Sequence, residues 1–229
     1  FDFELANLQG MRGDFEGMVD AYMNLLSTKP NYLRTVQNSL NRNLRLTTIE
    51  DNRELVRISL LRAIHTYPDN TVFPELLVWH FTQIRDFASS VVHAKALDLR
   101  LDEQGVRLME LGNTAQANGD TETALACYRY VASKGPLNPY YFTARNEVLQ
   151  VRFEDLTSSV PADLDAMASL AEEYAASLRD LGVRSETAMM VKDRAHLLAF
   201  YLQRSREGID ALESLLNENN LNERVAAAC

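Results

Sequence analysis

Cysteine, glycine and proline are scarce in this sequence. Among its 229 residues there are only two cysteines, Cys127 and Cys229, so a disulfide framework is not expected. The six prolines and nine glycines leave long stretches without a strong helix breaker. No long segment alternates polar and apolar residues with a period of two, which is the pattern of strands. These absences favour an all-α chain.

Excess basic charge and long apolar runs are also lacking. With 32 acidic and 23 basic residues the formal net charge is −9, and phosphate binding needs clustered lysine and arginine, so no nucleic acid partner is expected. No apolar run approaches the roughly 20 residues of a membrane span, so we expect no membrane insertion. The hydrophobic content of 46% is typical of a globular chain.

Motifs for catalysis, metals and cofactors are not found. The histidines are not spaced as metal ligands with another histidine or a cysteine; they are His65, His80, His93 and His196. The patterns G-x-G-x-x-G, G-x-x-x-x-G-K-[ST] and G-x-S-x-G are absent. Cys127 lies within a helical pattern and is predicted to be a small core residue. We therefore expect no metal, no cofactor and no enzymatic activity.

A set of three positions with helical spacing recurs along the chain every 34 residues, except that the step from the first set to the second is 38 residues. In chain order the sets are Met18, Tyr22 and Leu25; Val56, Leu60 and Ala63; Ser90, Ala94 and Leu97; and Ala124, Tyr128 and Val131. The extra residues of the long step are predicted to lie in the turn before residues 52–66, where an insertion changes neither packed face. A fixed period of about 34 residues predicts repeated helical hairpins.

The turns between the paired helices carry their own pattern. Gly119 is predicted to end a first helix at positive φ, and Asp120 to cap the second helix by accepting hydrogen bonds from its free N–H groups. Gly13 and Asp14 occupy the same places in an earlier copy, and Arg85 replaces the glycine in a third.

The whole pattern resembles the tetratricopeptide repeats. Most of the pattern is found in residues 108–136, where its positions are held by Leu108, Leu111, Gly112, Ala115, Gly119, Ala124, Tyr128 and Pro136. Two of these residues differ from the family pattern, because the family usually has tryptophan at the position of Leu108 and tyrosine at the position of Ala115. The resemblance implies a right-handed superhelical solenoid of antiparallel helix-turn-helix repeats, with about twelve helices.

The predicted domain organisation has two parts. Four repeats are expected at about 1–32, 33–70, 71–104 and 105–138. The period is lost beyond residue 138, and residues 139–229 are predicted to form divergent hairpins that continue or cap the solenoid. Because the chain begins at Phe1 rather than methionine, we interpret it as part of a larger protein.

In the tetratricopeptide geometry the first helices line a concave groove, which implies a peptide or protein partner. One position of successive first helices would hold Asn7, Asn41, Trp79, Asn113 and Glu147. Asparagine amides suit the backbone of an extended peptide, and Trp79 is the candidate anchor. Further predicted binding residues on these helices are Arg34, Gln37, Glu75, Gln83, Met109, Gln116, Tyr140 and Thr143.

Alternatives to this binding face stay open. The asparagines could be ordinary exposed residues, and Trp79 could pack between hairpins. A groove that clamps a C-terminal carboxylate is disfavoured, because Phe3, Glu75 and Trp79 stand where lysine and arginine would be needed.

The sequence favours a non-catalytic protein-interaction scaffold, with two rivals. One is a structural spacer or a homo-oligomer formed through the C-terminal helices. The other is a diverged helical enzyme or ligand pocket in residues 139–229, which would need convergent titratable groups.

Overall fold

The computed structural model describes residues 2–217, and this part of the chain is all-helical. Twelve α-helices follow one another without any β-strand over that range. They are α1 (Asp2–Met11), α2 (Phe15–Thr28), α3 (Leu33–Leu44), α4 (Glu50–Thr66), α5 (Val72–Gln83), α6 (Phe87–Leu101), α7 (Val106–Ala117), α8 (Thr121–Ala132), α9 (Tyr141–Ser158), α10 (Leu164–Leu181), α11 (Ala188–His196) and α12 (Ser205–Leu216). The predicted all-α class is confirmed. Cys229 lies outside the described residues.

The chain divides into two compact units, with the boundary between Tyr130 and Val131. Helices α1 to α7 and most of α8 belong to the first unit, and α9 to α12 belong to the second. The division of positions 1–138 into four repeats stays a prediction.

Within the first unit, neighbouring helices pack against one another, and buried residues of α1 to α5 form an apolar core. α1 packs against α2 and α5 against α6, while Gly112 on α7 meets Tyr128 on α8. α2 also contacts α4, α4 contacts α5, and α6 contacts α7. All twelve residues of the recurring sets are buried, and none exposes more than 5% of its surface. The predicted packed stripe is therefore confirmed.

Three turns of the first unit share one geometry. Gly13 and Gly119 both have φ at +79°, and Arg85 has φ at +60° in the place where glycine is missing. The carboxylates of Asp14 and Asp120 each accept a hydrogen bond of 2.9 Å from the backbone N–H three residues later. The predicted helix ends and caps are confirmed, and Arg85 adopts the left-handed conformation although it has a Cβ atom.

The turn between α3 and α4 is longer than the other turns within pairs. It spans residues 45–49, whereas the other three turns have three residues each, at 12–14, 84–86 and 118–120. The side chain of Asn52 donates a hydrogen bond of 2.8 Å to the carbonyl of Leu44, and Arg53 donates to the carbonyls of Leu46 and Thr47 at 2.6 Å. These bonds satisfy carbonyl groups at the end of α3 and in the turn itself. The turn holds two of the four extra residues, so the prediction that all four lie there is wrong. α4 also begins earlier, six residues before Val56, whereas α2, α6 and α8 begin three residues before the equivalent position.

The second unit has its own core and its own interhelical ion pairs. α10 contacts α9 and α11, α11 contacts α12, and Tyr174 is buried at their centre. Arg152 on α9 pairs with Glu173 on α10, and Arg194 on α11 pairs with Glu207 on α12. These contacts hold the four helices together as one bundle.

Candidate functional site

First helices of the first unit line a shared recess. α3, α5 and α7 enclose a cavity of about 200 Å³, to which each helix contributes polar and apolar side chains. The residues that define this first-helix groove include Leu33, Gln37, Glu75, Trp79, Glu110 and Thr114.

A second recess adjoins the first-helix groove and lengthens it. This cavity of about 510 Å³ shares Leu33 and Glu75 with the groove and extends to Asp69 and Asn70 before α5. Two adjoining recesses can accommodate successive residues of an extended chain.

Only some of the predicted binding residues line the first-helix groove. Gln37, Glu75 and Trp79 line the first-helix groove as predicted. Met109 is 7% exposed, so little of its surface is open to a partner. Four others do not line the recesses of the groove: Arg34 and Asn41 are exposed, and Gln83 and Gln116 are partly buried. Tyr140, Thr143 and Glu147 belong to the second unit.

Two asparagines of the predicted binding row accept hydrogen bonds from buried tyrosines on the helix that follows. The Tyr22 hydroxyl donates to Asn7 Oδ1 at 3.0 Å, and the Tyr128 hydroxyl donates to Asn113 Oδ1 at 2.6 Å. In both pairs the tyrosine follows the asparagine by 15 residues. A buried hydroxyl needs such a partner. Asn113 therefore has a packing role, and its substitution alone would not be a clean test of binding.

Sequence reasoning missed this role, although the separation that the two pairs share was a signal that could have revealed it. Asn41 shows why the row is not uniform. Leu60 holds the position of the recurring set that tyrosine holds in the other two cases, so it offers no hydroxyl to Asn41, which is exposed.

The arginine in the groove is already paired. Arg107 donates two hydrogen bonds to Glu103, at 2.8 and 2.5 Å, and lies 3.9 Å from a carboxylate oxygen of Glu75. The hydrogen bonds to Glu103 raise the pKa of Arg107 above its usual value. Its charge is therefore largely offset, while the carboxylates of Glu75 and Glu110 remain to set the polarity of the groove.

His80 lies on α5 immediately after Trp79, but it is fully buried. Within residues 2–217 neither ring nitrogen makes a hydrogen bond of good geometry, although the backbone of Arg53 is close enough to favour the protonated ring. Burial lowers the pKa of His80 to about 4, and the nearby positive charge of Arg57 acts in the same direction. The imidazole is therefore neutral near pH 7.

Reactive groups do not converge in the described part of the chain. Burial raises the pKa of Cys127 to about 12, which keeps its sulfur as an unreactive thiol. Over residues 2–217, no three histidine, cysteine, aspartate or glutamate side chains are placed to hold a metal ion. None of the described helices has the length and apolar character required to cross a membrane.

No protein-family model matches the chain, and no curated protein matches it. The resemblance to tetratricopeptide repeats rests on the period, the turn residues and the small-to-large contacts described above.

Proposed function

We propose that the first unit is a tetratricopeptide-like repeat array that binds an extended segment of a partner protein in the first-helix groove, without catalysis. The observation that carries the proposal is the groove itself, because residues from α3, α5 and α7 line it together. In the proposed arrangement the paired helices stack as repeats, so equivalent positions of the first helices come to one face.

The side chains of the groove suit a peptide backbone. The Gln37 amide offers a donor and an acceptor to backbone amides, and Thr114 offers its hydroxyl oxygen as an acceptor, since its proton is donated to the Glu110 carbonyl. Trp79 packs partly against the apolar core and also lines the groove, so it offers a rigid apolar surface as an anchor. Six of the ten residues that line the groove are polar and four are apolar, so the groove can hydrogen-bond a peptide backbone and also contact an apolar side chain.

Selection from a library of random 12-residue displayed peptides tests the proposal. We expect peptides to be retained, and Thr114→Tyr to weaken their binding at least tenfold because a bulky ring would fill the groove. The matched control is Asn24→Tyr, since Asn24 lines a separate recess between α2 and α4. Fluorescence anisotropy measures the dissociation constants. Equal binding by both variants would contradict the proposed site.

A further inference from the structure

Negative charge predominates along the first-helix groove and its adjoining recess. The carboxylates that line them are Asp69, Glu75 and Glu110, and Arg107 is the lining cation among the described residues. Arg107 donates two hydrogen bonds to Glu103 and lies 3.9 Å from a carboxylate oxygen of Glu75, so this one lining cation does not balance the carboxylates around it. The field that a partner meets in the groove is therefore negative.

Trp79 stands within this negative field. Glu75 and Trp79 are four residues apart on α5, so their side chains share one face of the helix, and both line the groove with Glu110 from α7. Trp79 is only partly buried, which leaves indole surface open to a ligand.

An indole beside carboxylates is a favourable environment for an organic cation. The π face of tryptophan attracts ammonium and guanidinium groups, and carboxylates accept their charge-assisted hydrogen bonds. An acidic partner segment would instead meet like charges, which disfavours its binding.

We infer that the groove selects a partner segment with a lysine or arginine whose side chain binds at Trp79, Glu75 and Glu110. This inference rests on the proposed function and specifies the chemistry of the partner. It differs from a clamp for a C-terminal carboxylate, because the groups of the groove would repel a carboxylate.

Charged quenchers of Trp79 fluorescence test the local field directly. Trp79 is the single tryptophan of the chain, so its emission reports only this site. The quenching constant of each ion is divided by its value for a free tryptophan amide. We expect the normalised constant of caesium to be at least twice that of iodide. Glu75→Gln/Glu110→Gln should bring the ratio towards one. Glu16→Gln/Glu122→Gln removes the same charge from exposed positions outside the groove and should leave the ratio unchanged.

Displayed peptide pools then test selection. Each pool has 12 random residues except for one fixed central residue, which is lysine, arginine, norleucine or glutamate. We expect lysine and arginine pools to be retained at least tenfold better than the other two, and Glu75→Gln/Glu110→Gln to abolish the difference. Equal retention of all four pools, or equal quenching by both ions, would overturn the cation site and leave the peptide groove standing. Retention of none would overturn both.

Discussion

Gly112→Val is expected to lower the free energy of unfolding of the first unit by about 3 kcal/mol. A Cβ atom on Gly112 would lie 2.6 Å from Cε1 of Tyr128, well inside contact distance. Tyr128 is fully buried and its hydroxyl is bound to Asn113, so the ring cannot move aside without losing that hydrogen bond. Urea unfolding followed by circular dichroism measures the change.

Two companion variants show whether steric overlap is the cause. Gly112→Ala places a Cβ atom at the same 2.6 Å but adds none of the outer methyl groups of valine. It should therefore destabilise less than Gly112→Val, by about 1 kcal/mol, because the gain in helix propensity offsets part of the overlap. Adding Tyr128→Leu to Gly112→Val should reveal a favourable coupling above about 1 kcal/mol. Simple additivity of the two losses would show that overlap is not responsible.

Acidification from pH 7 to pH 4 is expected to destabilise the first unit by about 3 kcal/mol through His80 alone. Burial lowers the pKa of His80 from 6.5 to about 4 in the folded protein, so protonation favours the unfolded chain. The stabilisation is fully present above pH 6.5 and is lost as the pH falls from 6.5 towards 4. Urea unfolding followed by Trp79 emission reports this unit.

His80→Leu is the control for this pH dependence. It removes the titrating group and leaves Arg53, Glu54 and Arg57, which are close enough to affect the His80 charge. The difference between wild type and variant then isolates His80 from the other carboxylates and histidines. If both proteins lose the same stability between pH 7 and pH 4, His80 is not the acid-sensitive group.

Much of the fold of the first unit could be predicted because its signals are local. A left-handed glycine and a capping aspartate act within one turn of the chain, so Gly119 and Asp120 identify a helix end by themselves. The repeat period then identifies equivalent buried positions, from Met18 to Val131. The same period predicted the added length before Val56, of which two residues lie in the turn before α4.

The candidate site was harder to predict because it depends on which side chains meet across helices. Gln37, Glu75 and Trp79 line the groove, and their sequence positions on equivalent helical faces predicted a shared surface. Glu110 and Thr114 also line it, but the period points to the position of Asn113, the residue just before Thr114, and does not identify them. Asn7 and Asn113 turned out to bind Tyr22 and Tyr128, a contact between helices that residue type alone does not predict.

The central claim is that a partner segment binds in the first-helix groove. Photocrosslinking of a selected 12-residue peptide tests this claim most directly. A benzophenone amino acid is placed at position 114 in the groove or at position 24 in the separate recess, and crosslinked peptide is measured by mass spectrometry. We predict crosslinking from position 114 and none above background from position 24. Crosslinking from position 24 alone, or equally from both, would contradict the claim.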